Sequence, residues 1–205
     1  MANGVRIYVE GRITVEGTTS CPVYFDYAGG GDHMGIQFNS SSNNRGSKID
    51  NASIIHSTYG ITVYGSNPVL SNVSIFDPDD VGVDLFNSAT PVIRNLVIEE
   101  AGQDWSFPTY WRYGIGLSIG AGSAPNVDGL VVNDAITRGL NIWGNSGGLI
   151  RNVTLSNITG STLAQAAGRW VQDSVPLIEH ATVDRSDHGV IVRHIDDGIT
   201  TRAVM

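Results

Sequence analysis

The sequence has a single cysteine, Cys21, so an internal disulfide and a disulfide-stapled fold are excluded. It also lacks any apolar run close to the ~20 residues that cross a bilayer as a helix, so we predict no membrane span. Basic residues are scarce, because 12 Lys and Arg stand against 20 Asp and Glu and give a net charge of -8. Such a surface repels phosphates, and we therefore expect no nucleic-acid partner.

A sustained helical period is also missing, and in its place one short phrase occurs six times. The phrase reads apolar, any residue, Asn or a substitute, apolar, any residue, apolar. Its third positions are Asn51, Asn72, Asn95, Gly129, Asn152 and His180. Because Asn, Gly and His are enriched at positive φ, the phrase predicts a strand, a left-handed corner and a second strand. The third positions are 21, 23, 34, 23 and 28 residues apart, and such a period predicts a solenoid.

A strand that begins with glycine precedes the phrase in most repeats. The examples are residues 60–64, 82–86, 139–143 and 189–192. Their alternation places apolar side chains on one face and the polar Thr62, Asp84 and Asn141 on a solvated face. Each repeat thus supplies three short strands and three corners. We predict an all-β fold, a right-handed, single-stranded parallel β-helix of about seven to eight coils, forming one domain over residues 1–205.

The opening of the chain carries a more specific signature. Gly17 and Thr18 precede Pro22, Val23 and Phe25 in the order Gly-Thr-x-x-x-Pro-Val-x-Phe. Together with the Asn corners and the glycine-led strands, this opening resembles the right-handed β-helix repeat proteins of the pectate-lyase-like superfamily. The resemblance implies an extracellular or cell-surface protein with a substrate groove beside the glycine-led sheet. That superfamily carries lyases, hydrolases, epimerases, tail spikes and adhesins on one scaffold, so the fold does not decide the activity.

Insertions fall at one place in the repeat, after the last strand of the phrase, and the longest of them spans residues 99–112. Within it, Trp105, Trp111 and Arg112 are candidates for binding the rings and hydroxyls of a glycan. The alternative is a small satellite core that pins the long loop to the rod.

Three more aromatic residues share one outward place at the end of the glycine-led strand. Tyr64, Phe86 and Trp143 are further candidates for stacking on sugar rings. Neighbouring coils would bring the first two together, which is equally typical of an aromatic ladder that only stabilises the sheet.

Carboxylates also cluster in these insertions and are typical of an oxygen-rich calcium site. The candidate ligands are Asp77, Asp79, Asp80, Glu99 and Asp104. The alternative for the first three is ordinary turn chemistry around Pro78. Scattered histidines do not favour zinc, so we expect no cofactor other than, at most, calcium.

Two residues are candidates for catalysis if the chain is an enzyme. Asp84 lies on the predicted solvated face, and Arg169 is the basic group that we expect to face the groove, where a lyase needs its base.

The leading hypothesis is an exported or cell-surface module that binds polysaccharide or cell-surface glycans, or serves as a structural spacer. The alternative is a polysaccharide lyase or glycoside hydrolase with its groove over the glycine-led sheet, and a weaker one is a phage-type tail spike. Both ends of the chain fall within strand patterns, so we expect a fragment of a longer protein. Uncapped ends of a solenoid expose strand edges, and end-to-end self-association is expected to follow.

Overall fold

A computed structural model describes residues 4–27, 29, 31–102, 113–160 and 166–193. The chain forms a parallel β-solenoid of about seven coils, as the repeat predicts. Its strands are β1 (Ile7–Val9), β2 (Thr14–Glu16), β3 (Val23–Phe25), β4 (Ile36–Phe38), β5 (Lys48–Tyr64), β6 (Val69–Phe86), β7 (Val92–Glu99), β8 (Ile115–Ile119), β9 (Asn126–Asn133), β10 (Arg138–Trp143), β11 (Leu149–Ile158), β12 (Ala167–Gln172), β13 (Leu177–Ser186) and β14 (His188–Arg193). One 3-10 turn, Ser40–Ser42, is the helical element of the described ranges, and it is far too short to cross a membrane.

The predicted corner residues form one column along the rod. All six have positive φ, from 50° at Asn51 to 85° at Gly129, which confirms the alignment of the repeats. Neighbouring members touch, since the Asn95 side-chain amide donates a hydrogen bond of 2.9 Å to the Asn72 Oδ1. Two strands, β5 and β6, continue through this corner without a break.

A second column of corners lies five residues after the first in every repeat. Its φ values lie between 47° and 59°, so the backbone turns there in the same left-handed way. The members are His56, Asp77, Glu100, Asp134, Asn157 and Arg185. This column was not predicted from the sequence because its residue types vary, although its spacing repeats that of the first column.

The core consists of inward rows in which equivalent residues of successive coils stack on one another. In the glycine-led sheet one such row is Ile61, Val83, Leu117 and Leu140, and all four side chains are fully buried. The leading glycines have a packing reason. A Cβ on Gly60, Gly82, Gly116, Gly139 or Gly168 would lie 2.2–3.1 Å from an apolar side chain of the core.

The last described coil of the rod differs from the preceding ones in burial. β13 is exposed over most of its length, whereas β11, which pairs with it, alternates buried and exposed residues. The extent of the domain and the expected end-to-end association stay predictions.

Candidate functional site

The candidate site is the outer face of the glycine-led sheet. Thr62, Asp84, Ser118, Asn141 and Trp170 follow one another in register across β5, β6, β8, β10 and β12, and we call this set the outer row. The alternation of polar and apolar residues predicts that this face is solvated. Instead, every member except Asp84 is at most 6% exposed.

Large neighbouring side chains explain why the outer row is covered. The Arg138 guanidinium lies 4.2 Å from the centroid of the Trp170 ring and donates a hydrogen bond of 3.0 Å to Asn141. The Trp143 indole N–H points at the Ser118 hydroxyl, 3.5 Å away. A cation over an indole face is held by the charge distribution of the ring. The polar groups at this end of the outer row thus form a packed layer rather than an open surface.

The predicted aromatic positions lie beside the outer row. Tyr64 and Phe86 pair in register with ring centroids 5.0 Å apart and an interplanar angle of 78°, an edge-to-face contact. In the next coil the equivalent position is Gly120, directly after Ile119, the last residue of β8. A Cβ on Gly120 would lie 2.2 Å from the Trp143 ring, so the indole lies over this glycine.

Gly120 therefore lets the Trp143 ring fill the gap between its own coil and that of Phe86. We call Tyr64, Phe86 and Trp143 the aromatic row. Tyr64 is 37% exposed, and the other two are partly exposed. The result is a strip of ring surface that is partly open to solvent and runs along the rod axis.

A tyrosine and a buried carboxyl group flank this face, and their contact was not predicted from the sequence. The Tyr59 hydroxyl donates a hydrogen bond to Asp80, which is 5% exposed. Burial raises the pKa of the Asp80 carboxyl, and burial followed by the neighbouring Asp80 raises the pKa of Tyr59. The Arg6 guanidinium lies 5.3 Å from the centroid of the Tyr59 ring. The signal in the sequence was the place of Tyr59, directly before a leading glycine.

The predicted calcium ligands do not come together in the part of the chain that the structure describes. Asp77 occupies the second corner, Asp80 is buried against Tyr59, and Glu99 is exposed at the end of β7. Among the described residues, no group of three or more His, Cys, Asp or Glu side chains is arranged to hold a metal ion. Asp104 lies outside those residues, as do Trp105, Trp111 and Arg112 of the predicted sugar-binding loop.

The expectation that Arg169 faces the groove is wrong. Arg169 pairs with Leu140 on one side and Val190 on the other, which places it in an inward row, and it is 4% exposed. Burial in this apolar interior lowers the pKa of its guanidinium. Among the described residues, Arg138 does lie on the outer face, over the Trp170 ring.

Comparison with known proteins agrees with this architecture. Residues 1–159 match a family described as the right handed beta helix region. The chain belongs to this right-handed β-helix family. Among solved structures, it is similar to the crystal structure of alginate lyase from Paenibacillus sp. str. FPU-7, with 17% identity, a TM-score of 0.61 and coverage of 90% of this chain and 68% of that chain. At this identity the likeness shows the fold alone. No curated protein matches the chain.

Two histidines in neighbouring coils of this β-helix have pKa values that are shifted in opposite directions. His33 is fully buried, and its Nδ1 accepts a hydrogen bond of 3.0 Å from the Gly35 amide, so the ring is neutral with its proton on Nε2. Burial lowers the pKa of His33 from its ordinary 6.5. His56 is half-exposed, and its hydrogen bond to Asp26, with Nδ1 and Oδ1 3.0 Å apart, raises its pKa.

We expect the His33→Gln variant to lose less stability in acid than the wild type. Below pH 6.5 the unfolded chain binds a proton at His33 that the folded chain rejects, so the stability present above that pH is lost as the pH falls. Glutamine does not titrate and removes this loss. The measurement is urea unfolding at a series of pH values between about 5 and 8, where unperturbed histidine titrates.

The control is His56→Gln, for which the sign reverses. Because the pKa of His56 is raised in the folded state, this residue stabilises the protein at low pH, and the stabilisation is lost as the pH rises. The free energy of unfolding of His56→Gln should therefore fall more steeply than that of the wild type as the pH is lowered. If the free energies of His33→Gln and the wild type differ by the same amount at every pH, His33 does not carry the acid sensitivity.

Proposed function

We propose that this protein is an exported or cell-surface β-helix module that binds a glycan along the aromatic row. The supporting observation is the continuity of Tyr64, Phe86 and Trp143, with the Trp143 ring lying over Gly120. Aromatic rings offer apolar faces to the C–H surfaces of sugar rings, while a few polar groups beside them fix the ligand by hydrogen bonds to its hydroxyls. Asp84, half-buried between Thr62 and Ser118, supplies such a group.

The glycan as partner class has further support from the comparisons. The similar solved structure is that of an alginate lyase, an enzyme that acts on a polysaccharide. Location outside the cell or at its surface rests on the resemblance to the pectate-lyase-like superfamily.

A polysaccharide lyase or hydrolase is the second candidate, and one observation favours it. Asp80 is buried, its carboxyl pKa is raised, and it is hydrogen-bonded to Tyr59 at the edge of the outer face. Carboxyl groups with perturbed pKa values gather at catalytic sites, although structural pairs show the same shifts. Incubation with polysaccharides separates the two functions. A binder releases no oligosaccharide, whereas an enzyme releases products that the Asp80→Asn variant fails to form.

The binding proposal is tested by a panel of neutral and acidic polysaccharides, followed by the Trp143→Ala variant with the glycan that binds best. We expect the affinity to fall about tenfold or more, the effect typical of a central aromatic contact. The matched control is Tyr24→Ala, because Tyr24 is a 63% exposed aromatic residue on β3, outside the glycine-led sheet. Equal affinity for Trp143→Ala and the wild type, or an equal loss in both variants, would refute the aromatic row as the binding surface.

A further inference from the structure

The last described coils of the rod contain a cavity of about 330 Å³. It lies between strands β12, β13 and β14 and is lined by Arg169, Ile178, His180, Ala181, Val183 and Val190. Its volume lies at the lower end of the ~300–1,000 Å³ that small-molecule sites occupy. Val190 is 43% exposed, so the cavity is open to solvent on one side.

Arg169 is the positively charged group of this cavity. Its place in the inward row is the one that Leu140 holds in the preceding coil, and it is 4% exposed. Its Nε has no hydrogen-bond partner among the described residues. Burying a guanidinium N–H without an acceptor costs free energy, and an anion bound in the cavity would remove that cost.

The residues around Arg169 define the shape and polarity of what fits beside it. Ala181 continues an inward row that is Val153 in the preceding coil and Leu130 in the one before. The smaller alanine, which is itself exposed, leaves space beside the guanidinium that is open to solvent. The remaining walls are mainly aliphatic, which suits a hydrocarbon body rather than a polar one.

We propose that this cavity binds an aliphatic monocarboxylate. Its carboxylate accepts charge-assisted hydrogen bonds from Arg169, whose planar fork matches the two oxygens, and its hydrocarbon chain contacts Val183 and Val190. The site is distinct from the aromatic row, because Arg169 points into the rod whereas Trp143 lies on its outer face. It does not depend on the glycan-binding proposal.

Calorimetric titration of the full chain with sodium octanoate tests the proposal. We expect saturable binding at one site and a melting temperature that rises with octanoate concentration. In Arg169→Leu the affinity should fall about tenfold or more, the cost of a lost charge-assisted hydrogen bond. This variant restores the leucine of the preceding coil, and apolar replacement of a buried charge is often neutral or stabilising, so it is expected to fold.

Two further variants separate the cavity from other arginines and from apolar surface. Ala181→Leu keeps Arg169 but fills the space, so it should also lose octanoate binding. Arg94→Leu removes an exposed arginine on β7 and should bind as the wild type does. Octanol has the same hydrocarbon chain without a carboxylate, so Arg169→Leu and the wild type should have equal affinity for it.

Several results would overturn the proposal. The proposal is wrong if octanoate does not bind the full chain, or if it binds Arg169→Leu as tightly as the wild type. If octanoate binds only after residues 194–205 are removed, that segment and not a carboxylate ligand occupies the cavity in the full chain. Dimerisation that Ala181→Leu abolishes, without octanoate binding, would assign it to a second copy of the chain.

Discussion

The Leu117→Ala variant is expected to lower the free energy of unfolding by about 2–5 kcal/mol, the usual cost of truncating a buried leucine. Leu117 is fully buried in the inward row between Val83 and Leu140. The coils above and below are held by their own stacked side chains, so they cannot collapse far into the space that the missing atoms leave. Urea unfolding followed by circular dichroism measures the loss.

The control for this substitution is Val131→Ala on β9, whose side chain is 39% exposed and points away from the interior. It should change stability by no more than about 0.5 kcal/mol, as surface substitutions usually do. If the two variants lose equal stability, the assignment of inward and outward rows is wrong.

Gly116→Ala is expected to destabilise the protein by about 1–3 kcal/mol, the typical cost of forcing an extra group into a packed core. A Cβ at this position would lie 2.5 Å from Val132 Cγ1 and 2.6 Å from the carbonyl oxygen of Gly139. One contact is with a core side chain and the other with the backbone of the next coil, so neither yields easily. Thermal unfolding compares the variant with the wild type.

Gly11→Ala is the matched substitution, because no atom lies within 4 Å of its Cβ. It should leave the melting temperature unchanged or raise it slightly, since alanine restricts the unfolded chain more than glycine does. A Gly116→Ala protein as stable as Gly11→Ala would show that the leading glycines are not needed for packing.

The first corner column could be predicted from sequence because its chemistry is restrictive. A left-handed corner admits few residue types, so Asn51, Asn72 and Asn95 mark it directly. The second column could not be recognised in this way, since Glu100 and Arg185 occupy left-handed positions that their residue type does not suggest. Only the constant offset of five residues identifies it, and that offset becomes meaningful once the backbone is known.

The candidate site shows the same limit for side chains. Register alone brought Tyr64 and Phe86 together, because equivalent positions of neighbouring coils lie side by side. The orientation of Arg169 was misjudged, although its place directly after a leading glycine is the place of Leu140 and indicates an inward side chain. The contact between Tyr59 and Asp80 crosses an irregularity in the pairing of β5 with β6, which no periodic pattern foretells.

The most direct test of glycan binding along the aromatic row is the dependence of affinity on oligosaccharide length. From Tyr64 to Trp143 the row crosses three steps between coils, a span of about 14 Å at the parallel-strand spacing. Calorimetric titration with a graded series of one glycan should show affinity rising with each added sugar until the ligand reaches that span, and then staying constant. In Trp143→Ala the rise should stop earlier. An affinity that does not depend on length, or a length dependence that Trp143→Ala leaves unchanged, would contradict the claim.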